Sequence, residues 1–229
     1  MLNNIPPGLR NLLILIILFE VAKYALPNVG FDVMEHLALY YPDSAHFRPW
    51  QLITHMFMHG GLTHLLFNGI ALYSFGVIME MKLGTKKFIS LFFISGLGAV
   101  LVHFISVAIF IYSNTGSFFP LHEGVLNLLP EVADRIKGYG PMVGASGALY
   151  GILIAFVYYY PNERLIFLFI PYPVKAKYII PVILLLDVIG ATGNFNWDPI
   201  AHFAHLGGAL TGFIIVKLWA WNKINRNWN

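Results

Sequence analysis

The sequence predicts an all-α integral membrane protein, a bundle of six transmembrane helices with a partly helical, membrane-associated first loop. Three observations carry this. Hydrophobic residues make up 58% of the 229 and charged residues only 11%, against roughly 25% charged in soluble domains. The mean hydropathy of +0.69 is more than a water-soluble core can hide, so apolar surface has to face lipid. The apolar residues also come in runs close to the roughly 20 residues that cross a bilayer as a helix.

The runs fall at about 10–26, 60–80, 87–112, 144–160, 165–189 and 200–221. The first follows Arg10 but is interrupted by Glu20 and Lys23 with no small-residue cleavage site after it, so it reads as a retained helix and not a signal peptide. Between the first two runs, residues 27–58 are too mixed to span and too apolar for a free linker. Val33–Tyr41 and Trp50–Met58 are expected to form short helices at the membrane surface. The fifth run is broken by Pro171, Pro173, Lys175 and Lys177, so its spanning part is expected to start near Lys177. The long 113–143 segment contains Leu126–Ile136, a candidate surface helix. No repeat or low-complexity tract divides the chain, and 1–229 reads as a single domain. The absence of cysteine excludes disulfides and thiolate metal sites.

Basic residues set the orientation. With the N-terminus inside, the inner segments hold Arg10, Lys82, Lys86, Lys87, Arg164, Lys175, Lys177, Lys217, Lys223 and Arg226, and the outer ones only Arg48, Arg135 and Lys137. Both termini are therefore expected to be cytoplasmic. Spans two, four and six then start on the outer side, and their first turns lie at similar depth. Span two carries His64 and Asn68 there, span four Ser146, and span six His202 and His205. Polar side chains inside a membrane are costly and mark function by default.

Ser146 lies in Gly144-Ala145-Ser146-Gly147. A serine hydroxyl needs a base to become a nucleophile, and small neighbours let a substrate backbone approach. A helix N-terminus there favours the charge of a tetrahedral oxyanion. Gly147 and Gly151 equally make a GxxxG helix-packing pattern, as do Gly208 and Gly212 on span six. The two uses are compatible, because close packing brings a short serine to its base. His205 is the natural base at neutral pH. The only acidic residue beside either motif at outer depth is Asp198, in a loop, so a Ser–His dyad fits better than a triad. His64 and Asn68, at i and i+4 on one helical face, are oxyanion donors or interhelical ties.

These residues resemble the rhomboid intramembrane proteases. Trp50-Gln51-Leu52-Ile53-Thr54-His55-Met56-Phe57-Met58-His59 and His64-Leu65-Leu66-Phe67-Asn68 resemble that family's first loop and second span. Gly144-Ala145-Ser146-Gly147 resembles its nucleophile motif, and Ala204-His205-Leu206-Gly207-Gly208 its histidine motif. All occur in the family's order, over about residues 45–215. The resemblance implies that Ser146 is the nucleophile and His205 the general base and acid. It also implies an oxyanion hole of His64, Asn68 and the Ser146 N–H, and a Tyr150 that packs under the imidazole. Gly144, Gly147 and Gly208 support the site, and Glu80 matches a structural glutamate. Some members carry Trp-Arg in the first loop where this chain has Trp50-Gln51, with Arg48 two residues earlier.

The expected function is an intramembrane serine endopeptidase that cleaves transmembrane protein substrates near the outer membrane face. Span five and the loop after Gly190 are candidate gate elements. The partners are those substrates and the lipid bilayer. No cofactor, metal or nucleic acid is expected, and the location read from a compact six-span core is a bacterial plasma (inner) membrane. His55, His59 and His64 can be drawn as metal ligands, but HExxH and a nearby carboxylate are lacking. A transporter would use Glu20, His103 and Asp187, without the repeat symmetry such folds show. A client-helix binder lacking proteolysis would not need the Ser–His pair.

Overall fold

The computed structural model describes residues 5–120, 122, 141–167, 170–192 and 199–226. The Leu126–Ile136 helix, Asp198 and the loop residues 193–197 lie outside these. The chain order is α1 (Pro7–Ala25), α2 (Val33–Leu37), α3 (Gln51–Thr54), α4 (Leu62–Leu83), α5 (Thr85–Thr115), α6 (Ser146–Tyr159), β1 (Arg164–Phe167), β2 (Ile170–Lys175), α7 (Ala176–Thr192) and α8 (Pro199–Arg226). Single 3₁₀ turns follow α1 and α3.

Among the described residues, four helices are long and apolar enough to cross a membrane: Pro7–Val29, Leu62–Leu83, Thr85–Thr115 and His202–Asn222. Two shorter ones, α6 at 14 residues and α7 at 17, lie among them. The exposed side chains agree with a lipid setting. On α1, Leu9, Leu12, Ile16 and Glu20 form the buried stripe at helical spacing, while Ile14, Ile17, Leu18 and Val21 point outward. In water such a face would be a liability; in a bilayer it is the solvated surface.

The bundle is built around α5, α6 and α8, which all pack on one another. Small residues make this possible. A Cβ on Gly208 of α8 would fall on the Gly147 carbonyl oxygen of α6, and one on Gly212 would lie 2.5 Å from the Gly151 Cα. A Cβ on Gly207 would lie 2.7 Å from the Gly98 carbonyl oxygen of α5. Backbones therefore touch backbones, and α6 is held at a depth that larger residues would forbid. Helices α1 and α4 pack beside this trio, and α7 rests mainly on α8.

Glu80, near the end of α4, is buried and accepts from the Gly8 N–H at 2.8 Å, the Leu9 N–H at 2.6 Å and the Thr85 hydroxyl at 2.8 Å. One carboxylate thus caps the N-terminus of α1, where helix geometry leaves donors free and favours negative charge, and ties it to the α4–α5 corner.

The fifth apolar run is broken where expected, and its helix begins at Ala176, beside the expected Lys177; the strand pairing ahead of it is unexpected. Arg164–Phe167 and Ile170–Lys175 pair as antiparallel strands, with Arg164 opposite Lys175 and Leu165 opposite Val174. The Ala176 N–H donates to the Glu163 carbonyl at 2.8 Å and the Lys177 N–H to Pro161 at 3.1 Å, closing the strand pair at its base.

The first loop is organised by Gln51, which is fully buried. Its amide nitrogen donates to the His46 carbonyl at 2.9 Å and, at 3.3 and 3.4 Å, to His36 and Glu35. Its oxygen accepts from the Arg48 N–H at 3.0 Å and the Tyr40 N–H at 3.4 Å. Arg48 itself binds the Ala45 and Phe47 carbonyls, both at 2.8 Å. The Gln51 amide thus gathers the loop backbone from within, and the arginine clasps its surface.

Candidate active site

The site forms where α6 begins. Gly144 adopts φ +124°, in the region that side chains rarely enter, and turns the chain so that Ser146 opens the helix. Its N–H donates to the His55 carbonyl at 2.9 Å, and Leu39 and Met142 exchange backbone hydrogen bonds at 3.0 and 2.8 Å. The first loop therefore fixes the path into the serine.

Across the glycine-lined α6–α8 contact, Ser146 Oγ lies 2.9 Å from His205 Nε2. The Tyr150 ring, one turn further along α6, stacks on the imidazole with centroids 4.3 Å apart and planes 7° from parallel. His64 reaches the same turn from α4: a Cβ on Gly144 would lie 2.9 Å from its Cε1, 3.0 Å from its Nε2 and 3.6 Å from Ser146 Oγ. The Gly60 N–H donates to His64 Nδ1 at 3.3 Å, which leaves the ring proton of the neutral form on Nε2, the nitrogen facing Gly144. Asn68 is buried one turn below and donates to the His64 carbonyl at 3.1 Å, so one of its amide hydrogens serves the helix backbone.

Sequence reasoning named Asp187 only as a pathway residue of the rival transporter reading and missed its place beside His205. Asp187 belongs to α7, is 7% exposed, and its Oδ1 lies 3.2 Å from His205 Nδ1 and 2.7 Å from His202 Nδ1. The expectation that no carboxylate reaches the pair is corrected here: an acidic side chain stands on the far side of the imidazole from the serine. The available signal was its cost. A lone aspartate in an apolar run needs a partner, and two histidines follow on the next helix. The ligand atoms of Asp187, His202 and His205 lie within 4.8 Å of one another, a donor set that also suits a divalent cation. Asp187 Oδ1 and the two Nδ1 atoms are already engaged with one another by hydrogen bonds.

The loop histidines are separate from this centre. His55 is buried and its Nδ1 donates to the Gln51 carbonyl at 2.7 Å. Burial pushes its pKa down from 6.5 to about 4, with the Gln51 hydrogen bond opposing and His103 adding to the fall. His59 is likewise lowered to about 4, by burial first and then by His64. Both are neutral at pH 7.

The arrangement can do acyl-transfer chemistry. An imidazole nitrogen touches a serine hydroxyl, the first turn of the helix leaves N–H groups free, the His64 ring faces Gly144, and Tyr150 stacks flat on the His205 ring.

Comparison with known proteins shows the family. The Rhomboid domain matches residues 46–222, a stretch that contains Ser146, His205, His64, Asn68 and Asp187. Rhomboid protein 1, mitochondrial, of Saccharomyces cerevisiae is 29% identical over 163 residues, 71% of this chain and 40% of that protein. Rhomboid protease GluP of Bacillus subtilis is 27% identical over 164 residues, 72% of this chain and 25% of its own. RHOMBOID-like protein 4 of Arabidopsis thaliana is 26% identical over 167 residues, 72% of this chain and 33% of that protein. The match thus spans less than half the length of each of these relatives. With its apolar spans and a Rhomboid domain over most of its length, the chain belongs to the rhomboid family and is an integral, multi-pass membrane protein.

Proposed function

We propose that this protein is an intramembrane serine endopeptidase that cleaves transmembrane substrates near the outer face of the membrane. The observation that carries this is the 2.9 Å contact between Ser146 Oγ and His205 Nε2 at the first turn of an apolar helix. His205 takes the serine proton as Oγ attacks the scissile carbonyl, then returns it to the leaving amine. The oxyanion is met by the Ser146 N–H, the His64 Nε2–H and the second Asn68 amide hydrogen. Tyr150 keeps the imidazole in the plane both proton transfers require. A peptide bond inside a helix is shielded by its own hydrogen bonds, so the substrate must unwind locally to reach Ser146, and helix-destabilising residues near the cut should speed cleavage. The architecture is the six-span bundle, with α6 and α7 as short fourth and fifth spans and both termini cytoplasmic, in a bacterial plasma membrane.

The test is the purified protein with a labelled transmembrane substrate. Wild type should cut it, while Ser146→Ala and His205→Ala should each lower the rate by at least about 10³-fold. A fluorophosphonate should label wild type at Ser146. Full cleavage by either variant would refute the assignment. Substrate capture without cleavage by wild type would make the protein a client-helix binder, and solute uptake into liposomes without proteolysis a transporter.

A further inference from the structure

We propose that Asp187 is the positioning residue of His205, so that the site works as a serine–histidine–aspartate arrangement whose carboxylate comes from α7. This rests on the proteolytic reading above and deepens it. Oδ1 stands 3.2 Å from His205 Nδ1 while the opposite ring nitrogen stands 2.9 Å from Ser146 Oγ. A carboxylate accepts and cannot donate. Nδ1 must therefore carry the proton, which leaves the Nε2 lone pair free for the serine. That is the tautomer a general base needs. When His205 takes the serine proton, the positive ring lies between the nascent oxyanion and the Asp187 charge, which stabilises it.

Two further contacts make this a held geometry. His202 Nδ1 donates to the same oxygen at 2.7 Å, and one carboxylate oxygen has lone pairs for both donors. Tyr150 fixes the tilt of the His205 ring from below, so rotation in the ring plane is the freedom left for Asp187 to remove. The alternative is that Asp187 only ties α7 to α8. The two differ in what asparagine does. Its carbonyl keeps a hydrogen bond between the helices, but the charge is gone and its amide can donate to the wrong imidazole tautomer.

The experiment compares wild type, Asp187→Asn and Asp187→Glu as full-length protein in detergent or liposomes. We expect Asp187→Asn to keep its thermal midpoint and its KM within about twofold, with kcat down by about 10²–10⁴-fold. Asp187→Glu, which restores the charge, should recover at least about tenfold of that loss. In protein labelled with ¹⁵N-histidine, His205 should be the Nδ1–H tautomer in wild type and a mixture in Asp187→Asn. The proposal fails if Asp187→Asn cleaves within about threefold of wild type, or if wild-type His205 carries its proton on Nε2. It fails also if EDTA abolishes activity and Zn²⁺ restores it, which would make Asp187, His202 and His205 a cation site. Were wild type to cleave nothing, the proteolytic reading would fall, while the nitrogen spectrum would still decide the role of Asp187.

Discussion

The α6–α8 contact and the first loop both hold the serine turn in place, by opposite means. Below the Ser146–His205 pair the helices meet through glycine, Gly147 on Gly208 and Gly151 on Gly212, backbone against backbone, and position is enforced because nothing else fits. In the loop there is almost no steric constraint of that kind. Gly61 has open space around the place of a Cβ, and the loop backbone is gathered by buried polar groups, Gln51 above all, beside buried apolar side chains such as Leu39, Met56 and Met58. The contact sets the distance from Ser146 to His205; the loop sets the turn before Ser146, through the His55 carbonyl on the Gly144 N–H. The Ser146–His205 distance thus has two guarantors, vulnerable to different changes.

Gly208→Ala should show the largest effect. Its methyl would fall on a main-chain carbonyl that cannot yield, so the helices must part. We expect a loss of about 3 kcal/mol or more in stability, read as a collapse of the thermal midpoint. Gly61→Ala, with an extended φ of 165° and room for the methyl, should stay within about 0.5 kcal/mol. Equal effects would erase the contrast between the two regions.

Next comes Gln51→Leu, which keeps the volume and strips the loop of its internal hydrogen bonds. Buried carbonyls and N–H groups lose their partners, at a cost of about 2–3 kcal/mol. Protease nicking between residues 33 and 61 should rise before global unfolding does. A variant as resistant as wild type would mean the loop is held by packing after all.

Acid should loosen the loop. His55 has a folded pKa lowered to about 4, whereas the unfolded chain takes the proton near 6.5. The stability this neutral histidine permits is fully present above about pH 6.5 and drains away as pH falls towards about 4. At pH 5 the loss is about 2 kcal/mol. His59 behaves in the same direction, so His55→Leu should abolish about half of the acid sensitivity of the thermal midpoint. An unchanged pH dependence would place the sensitivity elsewhere.

Much of this was legible in the residues. Hydropathy located α4 at 60–80 against an observed Leu62–Leu83, and α5 at 87–112 against Thr85–Thr115, because lipid imposes a length on every span. The glycine spacing forecast backbone contact between α6 and α8. The strand pair of Arg164–Phe167 and Ile170–Lys175 was hidden, since its apolar residues and prolines read as the broken start of a span and its pairing is a local, two-strand matter. The role of Asp187 escaped for a sharper reason. The serine and histidine motifs stand at the starts of their helices, whereas Asp187 stands near the end of α7, so its position in the sequence suggests a pathway residue more readily than a partner of His205. Its partners, His202 and His205, follow only after an intervening loop, and no short motif links them.

The closed base of that strand pair gives α7 the mechanics of a lever. Its foot is pinned by the Ala176 and Lys177 hydrogen bonds, and Pro181, lacking an N–H, leaves the Lys177 carbonyl without its helical partner just above the foot. Asp187 rides about 16 Å up the arm at about 1.5 Å per residue. Tilting the arm by about 10° swings that carboxylate through about 3 Å, the full length of its bond to His205. Leaning α7 outward and keeping Asp187 on the imidazole are therefore mutually exclusive positions of one rod.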